Sequence, residues 1–357
     1  MATIVIADST NHYDGTYLET RPVGGTESSV IRLARELSRR GHDMTVFSNC
    51  DGPIDNEGVK WRPLSSTPPD DCDLYVAVQH PTLLPFVRNP RRRAIWVMWK
   101  VNNLKHHKHI WRMWWYRPVP VLISLHQVRT YSPFLPRRDP HIVIPLGLPG
   151  DIRGLPPLPS PPPPRAIFAS RPQYDLKKVV DIWATRILPR VPAAVLDVYG
   201  VHAMKPGQNA WDVWKGSFLP EGQPPEVQQS VRIHSSLSRD ELNREIRASR
   251  VVLHPGHHFE AFCLAVGEAQ ALGVPAVVGP IAAVPERVID GVTGFHRAAP
   301  DQFAEAVVSL LTDDALWRRQ HEAALKYQQG ITWAEVAGRF EAALLGDQIP
   351  IYRSVIN

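Results

Sequence analysis

The sequence predicts an α/β protein with two doubly wound, Rossmann-like domains. Its 357 residues are too many for one ordinary domain and suit two of about 150 to 180 residues each. Short apolar strands alternate with amphipathic helices in both halves. A proline-rich run at 155–165 separates the halves, because so many prolines cannot continue a helix or a central strand.

These observations predict the domain bounds. We expect a first domain over 1–154, a semi-rigid linker over 155–165 and a second domain over 166–332. A closing helix and tail, 333–357, should pack back on the first domain. Ligands of such sheets bind beyond the carboxyl ends of the strands, so the expected site is a cleft across which the two domains face each other.

The periodicity of the first half predicts a strand, a helix and a second strand. Thr3–Ala7 is strand-like, and a loop from it ends at Gly24 and Gly25. The helix that follows places Val30, Leu33, Ala34 and Leu37 at i, i+3, i+4 and i+7, and Gly41 ends it. Further strands are expected at Met44–Phe47, Leu74–Val78, Ala94–Met98, Val119–Ser124 and Ile142–Pro145.

The second half repeats this alternation. Strands are expected at Arg165–Ser170, Val195–Tyr199, Arg250–His254 and Pro275–Val278. Helices are expected at Val179–Leu188, Ser238–Ser249, Asp301–Leu311 and Trp333–Leu344, with another that ends at Leu272. A second parallel crossover sheet follows from this pattern.

The composition excludes several classes of protein. Apolar residues make up 44% of the chain, which argues against extended disorder. Its three cysteines, Cys50, Cys72 and Cys263, match no metal or disulfide spacing and suit a reducing compartment. The N-terminus lacks a basic segment before its first apolar stretch, and no apolar run reaches the roughly 18 residues of a membrane span. We therefore expect a soluble, cytoplasmic protein.

Charge is unevenly distributed along the first half. No acidic residue occurs between Asp73 and Asp139. The same stretch holds twelve cations and five tryptophans: Arg88, Arg91, Arg92, Arg93, Lys100, Lys105, Lys108, Arg112, Arg117, Arg129, Arg137, Arg138, Trp96, Trp99, Trp111, Trp114 and Trp115. A field of one sign attracts anions such as phosphates, acidic lipid headgroups or nucleic acid.

The core of this stretch, residues 88–117, has three interpretations. It could lie against an anionic membrane, peripheral to the inner face, with tryptophans at the headgroup level. It could bind an acidic or phosphorylated acceptor, or be a solvated basic face whose tryptophans lie in the core. Nucleic acid is not favoured, because no nucleic-acid module motif occurs. His106, His107 and His109 lack metal-ligand spacing, so no metal is expected.

The motif with the clearest chemistry lies in the second half. Glu260 follows a predicted strand, and Glu268 comes eight residues later in a helix that begins near Ala261 to Leu264. A helix N-terminus suits a phosphate, and carboxylates on either side of a diphosphate could accept hydrogen bonds from sugar and ribose hydroxyls. The alternative is an ordinary strand–loop–helix unit with two acids near the helix start.

This segment resembles the donor-site signature of retaining glycosyltransferase family 4, which has the two-domain GT-B fold. The matching residues are Glu260 and Glu268, Ala269 with Gly273 and Pro275, Pro285-Glu286, and Gly291 with Gly294-Phe295. Four other segments are similar to the family: Gly24-Gly25-Thr26-Glu27, Arg40-Gly41-His42, Ile144-Pro145-Leu146-Gly147 and Trp333–Phe340. The resemblance covers nearly the whole chain in order.

The resemblance implies roles for the donor-site residues. Glu260 would contact the transferred sugar and Glu268 the nucleotide ribose. Backbone amides of Phe262, Cys263 and Leu264 would face the donor, although the family often has glycine where Cys263 stands.

The resemblance also implies cations for the leaving diphosphate. In the segment 170–178, Arg171 and Lys177 would neutralise it, although Lys178 stands where the family has glycine. The alternative is a loop with ordinary surface cations.

In the first half, Gly24 and Gly25 could let the backbone approach the donor phosphate or the acceptor, or could simply form a tight turn. Many family members have a histidine where this chain has Trp99. His80, after a predicted strand, is the best substitute, and a purely structural role is its alternative.

The function expected from the resemblance is retaining transfer of a hexose from a nucleotide-diphosphate sugar to a glycan, lipid-linked or other hydroxyl acceptor. It implies no metal, no cofactor beyond the donor and no identified nucleophile. The alternative is a non-catalytic nucleotide-sugar or glycan-binding protein, suggested by the departures at Trp99 and Cys263. A nicotinamide dehydrogenase is not favoured, because no Gly-x-Gly-x-x-Gly follows the first strand of either domain.

Overall fold

The computed structural model describes residues 1–346 except 22, 137–140, 173–174, 202–209, 215, 218 and 236. The chain divides into two compact units, one built from residues 1–147 and the segment from 331 onward, the other from residues 148–330. Arg137 and Arg138 of the basic stretch, part of the segment 170–178, and the tail 347–357 lie outside the described residues.

The first unit is built on an eight-stranded sheet. The strands are Thr3–Ala7 (β1), Asp43–Ser48 (β2), Ile54–Asn56 (β3), Val59–Pro63 (β4), Asp71–Val78 (β5), Asn89–Trp96 (β6), Val119–Leu122 (β7) and Ile142–Val143 (β8). Their order is β3-β4-β2-β1-β5-β6-β7-β8. Only the edge pair β3 and β4 is antiparallel among the strands described. The chain changes direction across the sheet between β1 and β5, which are neighbours.

Among the described residues of the N-terminal part, the α-helices beside this sheet are Tyr17–Thr20 (α1), Gly25–Arg39 (α2), His107–Tyr116 (α3) and Leu125–Arg129 (α4). Helix α2 is the predicted one, since Val30, Leu33 and Leu37 are buried on one face. It ends before Gly41, whose φ of 89° is the left-handed conformation expected after a helix. Helix α3 was not predicted, because it carries apolar side chains on its exposed face as well as its buried face.

The second unit contains a six-stranded sheet in which every pair is parallel. The strands are Arg165–Phe168 (β9), Val195–Val201 (β10), Val231–Ser235 (β11), Val251–His254 (β12), Ala276–Val278 (β13) and Gly294–His296 (β14), in the order β11-β10-β9-β12-β13-β14. The helices are Leu176–Ile182 (α5), Ala210–Trp214 (α6), Pro225–Ser230 (α7), Arg239–Arg247 (α8), Leu264–Ala271 (α9), Pro300–Thr312 (α10) and Asp314–Tyr327 (α11). The predicted α/β architecture with two Rossmann-like domains is confirmed.

The topology identifies where a ligand of the second unit would bind. From β9 the chain moves outward through β10 and β11, and from β12 it moves outward the other way through β13 and β14. The loops at the carboxyl ends of β9 and β12 therefore flank the point where the strand order reverses, the usual ligand position of such sheets.

The boundary between the units lies after Gly147, earlier than the expected linker at 155–165. The proline-rich segment instead runs along the second unit. The carbonyl of Pro156 accepts a hydrogen bond of 2.6 Å from Arg247, and the N–H of Leu158 donates to His321 at 2.9 Å. Prolines lack an N–H, but their carbonyls still accept hydrogen bonds, so this segment is secured as part of the second unit.

The closing helix, Trp333–Leu344 (α12), belongs to the first unit. It begins with a capping box between Thr332 and Glu335. Phe340 is fully buried and meets the indole of Trp96 edge-on, with ring centroids 5.2 Å apart. Within the described ranges, the helices all fall short of the length and apolar character that crossing a membrane requires.

Replacing the buried ring of α12 tests this packing. Phe340→Ala should destabilise the first unit by about 3–5 kcal/mol, because it removes a buried aromatic side chain that contacts Trp96. Urea unfolding followed by tryptophan fluorescence measures the change. Ala334→Ser, on the exposed side of the same helix, is the control and should stay within about 0.5 kcal/mol. Equal effects of the two substitutions would contradict the packing.

Candidate functional site

Two loops of the second unit meet at the reversal of strand order. Ser170 and Arg171 follow β9, and the loop from Pro255 to Cys263 follows β12. The hydroxyl of Ser170 lies 3.2 Å from Nδ1 of His254, the last residue of β12. Arg171 is near enough to Glu260 that its positive charge lowers the pKa of that carboxyl. The structure thus brings together two residues that the sequence nominated separately.

The pKa of the Glu260 carboxyl lies above its ordinary value of 4.5. Its side chain is 17% exposed, and burial raises its pKa to about 7 despite the opposing charge of Arg171. Its backbone is fixed at both ends, since its N–H donates to the carbonyl of His257 and its own carbonyl accepts from Ala283. Near neutral pH this carboxyl is partly protonated, so it can either donate to or accept from a sugar hydroxyl.

Three of the predicted donor-binding residues form the start of α9. Phe262 and Cys263 are buried, and the helix begins at Leu264. Cys263 is the N-cap residue, with φ 66°, and the backbone N–H of Val266 interacts with its sulfur. The other N–H groups of a first turn have no partner within the helix, so the expected contact of this turn with an anion stays a prediction.

Glu268 lies inside α9 and is buried. One of its carboxylate oxygens, Oε1, forms an ion pair with Arg239, the first residue of α8. A ribose at this place would meet a carboxylate that already has a cationic partner. The sequence did not indicate Arg239, because the partner comes from a separate helix 29 residues earlier.

The remaining predicted cations lie at the same end of the sheet. Arg171 is exposed in the loop after β9, and Lys177 is exposed in the first turn of α5. Lys178 beside it is also exposed, whereas Leu176 is buried against the core. Both lysines therefore remain candidates for the role assigned to Lys177.

A further cation was missed by sequence reasoning. The guanidinium of Arg287 lies 4.2 Å from the centre of the Phe262 ring. Burial lowers the pKa of Arg287, with Glu286 acting in the opposite direction. The Pro-Glu of the family motif precedes this arginine directly, and that position was the available signal.

His254, Glu260 and Cys263 form a cluster that no sequence spacing suggested. Nε2 of His254 lies 3.4 Å from Sγ of Cys263 and 3.7 Å from Oε1 of Glu260. One potential ligand atom from each residue lies within 4.8 Å of the others, so the three could hold a metal ion. Burial is the main cause that lowers the pKa of His254 to about 4, so its ring is neutral. The cluster escaped notice because its members come from a strand end, a loop and a helix start.

In the first unit, the nominated glycines lie among carboxylates. Gly24 is the N-cap of α2 and Gly25 is its first residue. The Glu27 carboxylate folds back against Gly24, where a Cβ would lie 2.4 Å from Oε2, and accepts a hydrogen bond from Asn11. Nearby Asp8 accepts a hydrogen bond of 2.7 Å from Tyr13, and burial raises its pKa. These acids suit hydroxyl groups better than phosphate.

The side chains of His80 and Trp99 are neighbours. Trp99 stands where the family often has a histidine, and His80 is the expected substitute for that histidine. Their rings meet edge-on with centroids 6.4 Å apart. The backbone N–H of Trp99 donates a hydrogen bond of 2.7 Å to the side-chain oxygen of Gln79, and this bond connects the loops after β5 and β6. Burial lowers the pKa of His80, opposed by the charge of Asp8. The histidine thus lies beside the position at which the family usually carries one.

Comparison with known families is consistent with these geometries. The family model described as Glycosyltransferase Family 4 matches residues 23–143, and that described as Glycosyl transferases group 1 matches residues 225–327. One match therefore lies in each unit.

Relatives of known activity match only part of the chain. The D-inositol 3-phosphate glycosyltransferase of Corynebacterium aurimucosum is 34% identical over 117 residues, which are 32% of this chain and 28% of the relative. The lipopolysaccharide 1,2-N-acetylglucosaminetransferase of Salmonella typhimurium is 28% identical over 108 residues, 29% of this chain and 28% of that protein. In both cases the match spans less than a third of the relative's own length.

Solved structures match along nearly the whole chain. Anabaena Alr3699/HepE in complex with UDP and glucose gives a TM-score of 0.71 at 15% identity, covering 97% of this chain and 100% of that chain. Sucrose-phosphate synthase from Thermosynechococcus elongatus gives 0.70 at 13% identity, covering 98% and 100%. The fold is therefore that of the GT-B glycosyltransferases. The chain belongs to the group 1 and family 4 glycosyltransferases of this fold, as the sequence resemblance implied.

Neutralising Glu260 should change how stability depends on pH. The pKa of this carboxyl is about 7 in the folded chain against an ordinary value of 4.5, so its stabilising contribution is complete below pH 4.5 and is lost as pH rises through 7. Glu260→Gln should match the wild type near pH 4.5 and exceed it at pH 8 by about 3 kcal/mol. Urea unfolding at several pH values measures the difference.

The control for this experiment is Glu305→Gln on α10. Arg190 lowers the pKa of Glu305, so this exposed acid should give no gain in stability at high pH. A difference between Glu260→Gln and wild type that stayed constant from pH 5 to pH 8 would contradict the raised pKa.

The left-handed backbone conformation of Cys263 leads to a prediction about the stability of variants at this position. Cys263→Gly should be more stable than Cys263→Ala by about 1 kcal/mol, because glycine adopts a φ of 66° without the penalty of a Cβ. Ala265→Gly, in the right-handed first turn of α9, is the matched control and should destabilise by about 0.5–1 kcal/mol. If glycine and alanine at 263 were equally stable, the left-handed conformation would be contradicted.

Proposed function

We propose that this chain transfers a sugar from a nucleotide-diphosphate sugar to a hydroxyl acceptor, with retention of configuration. The observation that carries the proposal is the juxtaposition of a largely buried carboxyl, Glu260, a nearby cation, Arg171, and the start of α9. A sugar hydroxyl, a phosphate charge and phosphate oxygens are the groups that these three features suit.

The diphosphate, sugar and ribose of the donor would each contact different residues of the second unit. Its diphosphate would lie at the start of α9, with Arg171 and Lys177 as counter-charges. Its sugar would contact Glu260, and its ribose would contact Glu268 beside Arg239. The solved complexes of HepE with UDP-glucose, and with UDP and glucose, make UDP-sugars the first donors to test.

The chemical step needs a stabilised leaving group more than a protein nucleophile. The bond between the anomeric carbon and the phosphate oxygen breaks, and its electron pair stays with the nucleotide diphosphate. The acceptor oxygen bonds to the same face of that carbon, and its proton leaves on the departing phosphate. Arginine, lysine and helix amides stabilise the charge that develops, so we propose catalysis without a metal or a further cofactor.

Hydroxyl acceptors are assigned to the first unit. Asp8 and Glu27 beside Gly24 provide carboxylate oxygens, and His80 provides a largely neutral ring nitrogen. The hydroxyl-bearing substrates named for two relatives, an inositol phosphate and a lipopolysaccharide, suggest a polyhydroxylated acceptor. The acceptor would thus be a glycan, an inositol phosphate or a lipid-linked sugar.

Release of nucleotide diphosphate from UDP-, GDP- and ADP-sugars tests this proposal. One donor should give release, and Arg171→Ala should lower kcat by about 100-fold, because a charge-stabilising group is lost. Glu268→Ala should instead act mainly through a raised KM for the donor. Glu305→Ala, an exposed acid on α10, is the control and should leave the rate unchanged.

A non-catalytic binding protein is the alternative, because Cys263 and Trp99 replace residues usual in the family. Thermal stabilisation by a donor without release, with cell extract or lipid as acceptor, would favour this alternative. Neither stabilisation nor release from any of these donors would overturn the proposed donor site.

A further inference from the structure

We propose that α3 and the neighbouring Phe134 form a docking surface for an anionic lipid bilayer. Its defining residues are Trp111, Trp114, Trp115 and Phe134, here called the aromatic face. The inference concerns where the protein acts and is independent of the donor site, since every residue involved belongs to the first unit.

Helix α3 has two opposite faces. Met113 is buried, and Ile110 and Tyr116 pack beside it against the core of the first unit. Trp111 and Trp115, four residues apart and therefore on one side of the helix, are 53% and 78% exposed. The core contacts fix the orientation of α3, so the exposure of these indoles follows from the packing of the other face.

The aromatic face extends beyond the helix. The indole N–H of Trp114 donates a hydrogen bond of 2.9 Å to the carbonyl of Phe134, whose side chain is 71% exposed. Four large aromatic side chains are thereby gathered on one surface. Several large aromatic side chains exposed near one another are unusual for a surface that stays in water and indicate an interaction site.

The charges around the aromatic face select an anionic partner. Lys105 and Lys108 are exposed before and within α3, and Arg117 is exposed after it. The guanidinium of Arg112 lies 4.4 Å from the centre of the Trp111 ring. Because no acidic residue occurs between Asp73 and Asp139, these cations have no acidic neighbour in sequence. A second copy of the same surface would be repelled.

A bilayer surface matches this combination better than other anions do. Tryptophan and phenylalanine favour the boundary between headgroups and acyl chains, and flanking lysine and arginine favour anionic headgroups. Helix α3 has 10 residues, about 15 Å, and only one apolar face is exposed, so it would lie in the interface and not cross it. The expected binding mode is peripheral and electrostatically assisted.

Co-sedimentation with vesicles tests the proposal. The full chain should bind phosphatidylglycerol-containing vesicles at least tenfold more tightly than pure phosphatidylcholine vesicles, and raised salt should weaken this binding. Brominated lipids should quench tryptophan fluorescence. The variant Trp111→Ala with Trp115→Ala should lose at least tenfold in affinity and most of this quenching.

Matched variants separate the contributions. Tyr327→Ala removes an exposed aromatic ring from α11 and should bind like the wild type. Lys105→Ala with Lys108→Ala should weaken binding to anionic vesicles about fivefold per lysine and leave binding to neutral vesicles unchanged. Circular dichroism of each variant should be that of the wild type, since the replaced side chains are exposed.

Other outcomes would overturn the proposal. Equal vesicle binding by wild type and the double tryptophan variant would exclude the aromatic face. Binding to single-stranded oligonucleotide that displaces the vesicles and requires the same tryptophans would assign this surface to nucleic acid. Self-association abolished by the tryptophan variant, without vesicle binding, would assign it to a dimer.

Discussion

The parallel pairing of β9 with β12 is the constraint on which the candidate donor site depends. Ala166 and Ile167 pair with Val251 and Val252, so the two strands end side by side. Residues 84 positions apart in sequence, Ser170 and His254, are then within hydrogen-bonding distance. Arg171 is carried to Glu260 by the same register. A shift in this register would separate the cation from the carboxyl even if both loops kept their conformations.

If the proposed donor binds here, electrostatics would favour a neutral Glu260. Burial already raises the pKa of this carboxyl to about 7, and Arg171 is the charge that opposes the rise. A diphosphate would occupy Arg171 and bring negative charge close to Glu260, and both effects raise the pKa further. A protonated Glu260 would then donate a hydrogen bond to the sugar, while the ionised Glu268 keeps its partner Arg239.

The sequence predicted most of the sheet strands and the main donor-site motif, because both depend on short-range patterns. The eight-residue interval from Glu260 to Glu268 reflects one loop and one helix, which local periodicity describes well. Arg239, and the approach of His254 to Cys263, depend on contacts between separate elements, which periodicity does not contain. The proline-rich segment was expected to be a linker because of its prolines. The side chains of α8 and α11 that hydrogen-bond to it lie far away in sequence, so its composition could not reveal them.

Helix α3 is a second feature that the periodicity of the sequence did not predict, and it bears on function. A helix that buries one face usually alternates apolar and polar residues, and the exposed tryptophans of α3 break this pattern. Sequence alone left open whether the tryptophans of this stretch lie in the core. The structure buries Trp96 and exposes Trp111, Trp114 and Trp115, and this exposure is the observation on which the proposed docking surface rests. The second unit carries the residues that match the family's donor motif, together with the departures at Cys263 and Lys178, and the first unit carries the departure at Trp99 and the exposed tryptophans of α3. Differences in acceptor and in site of action between family members would therefore be expected to reside in the first unit.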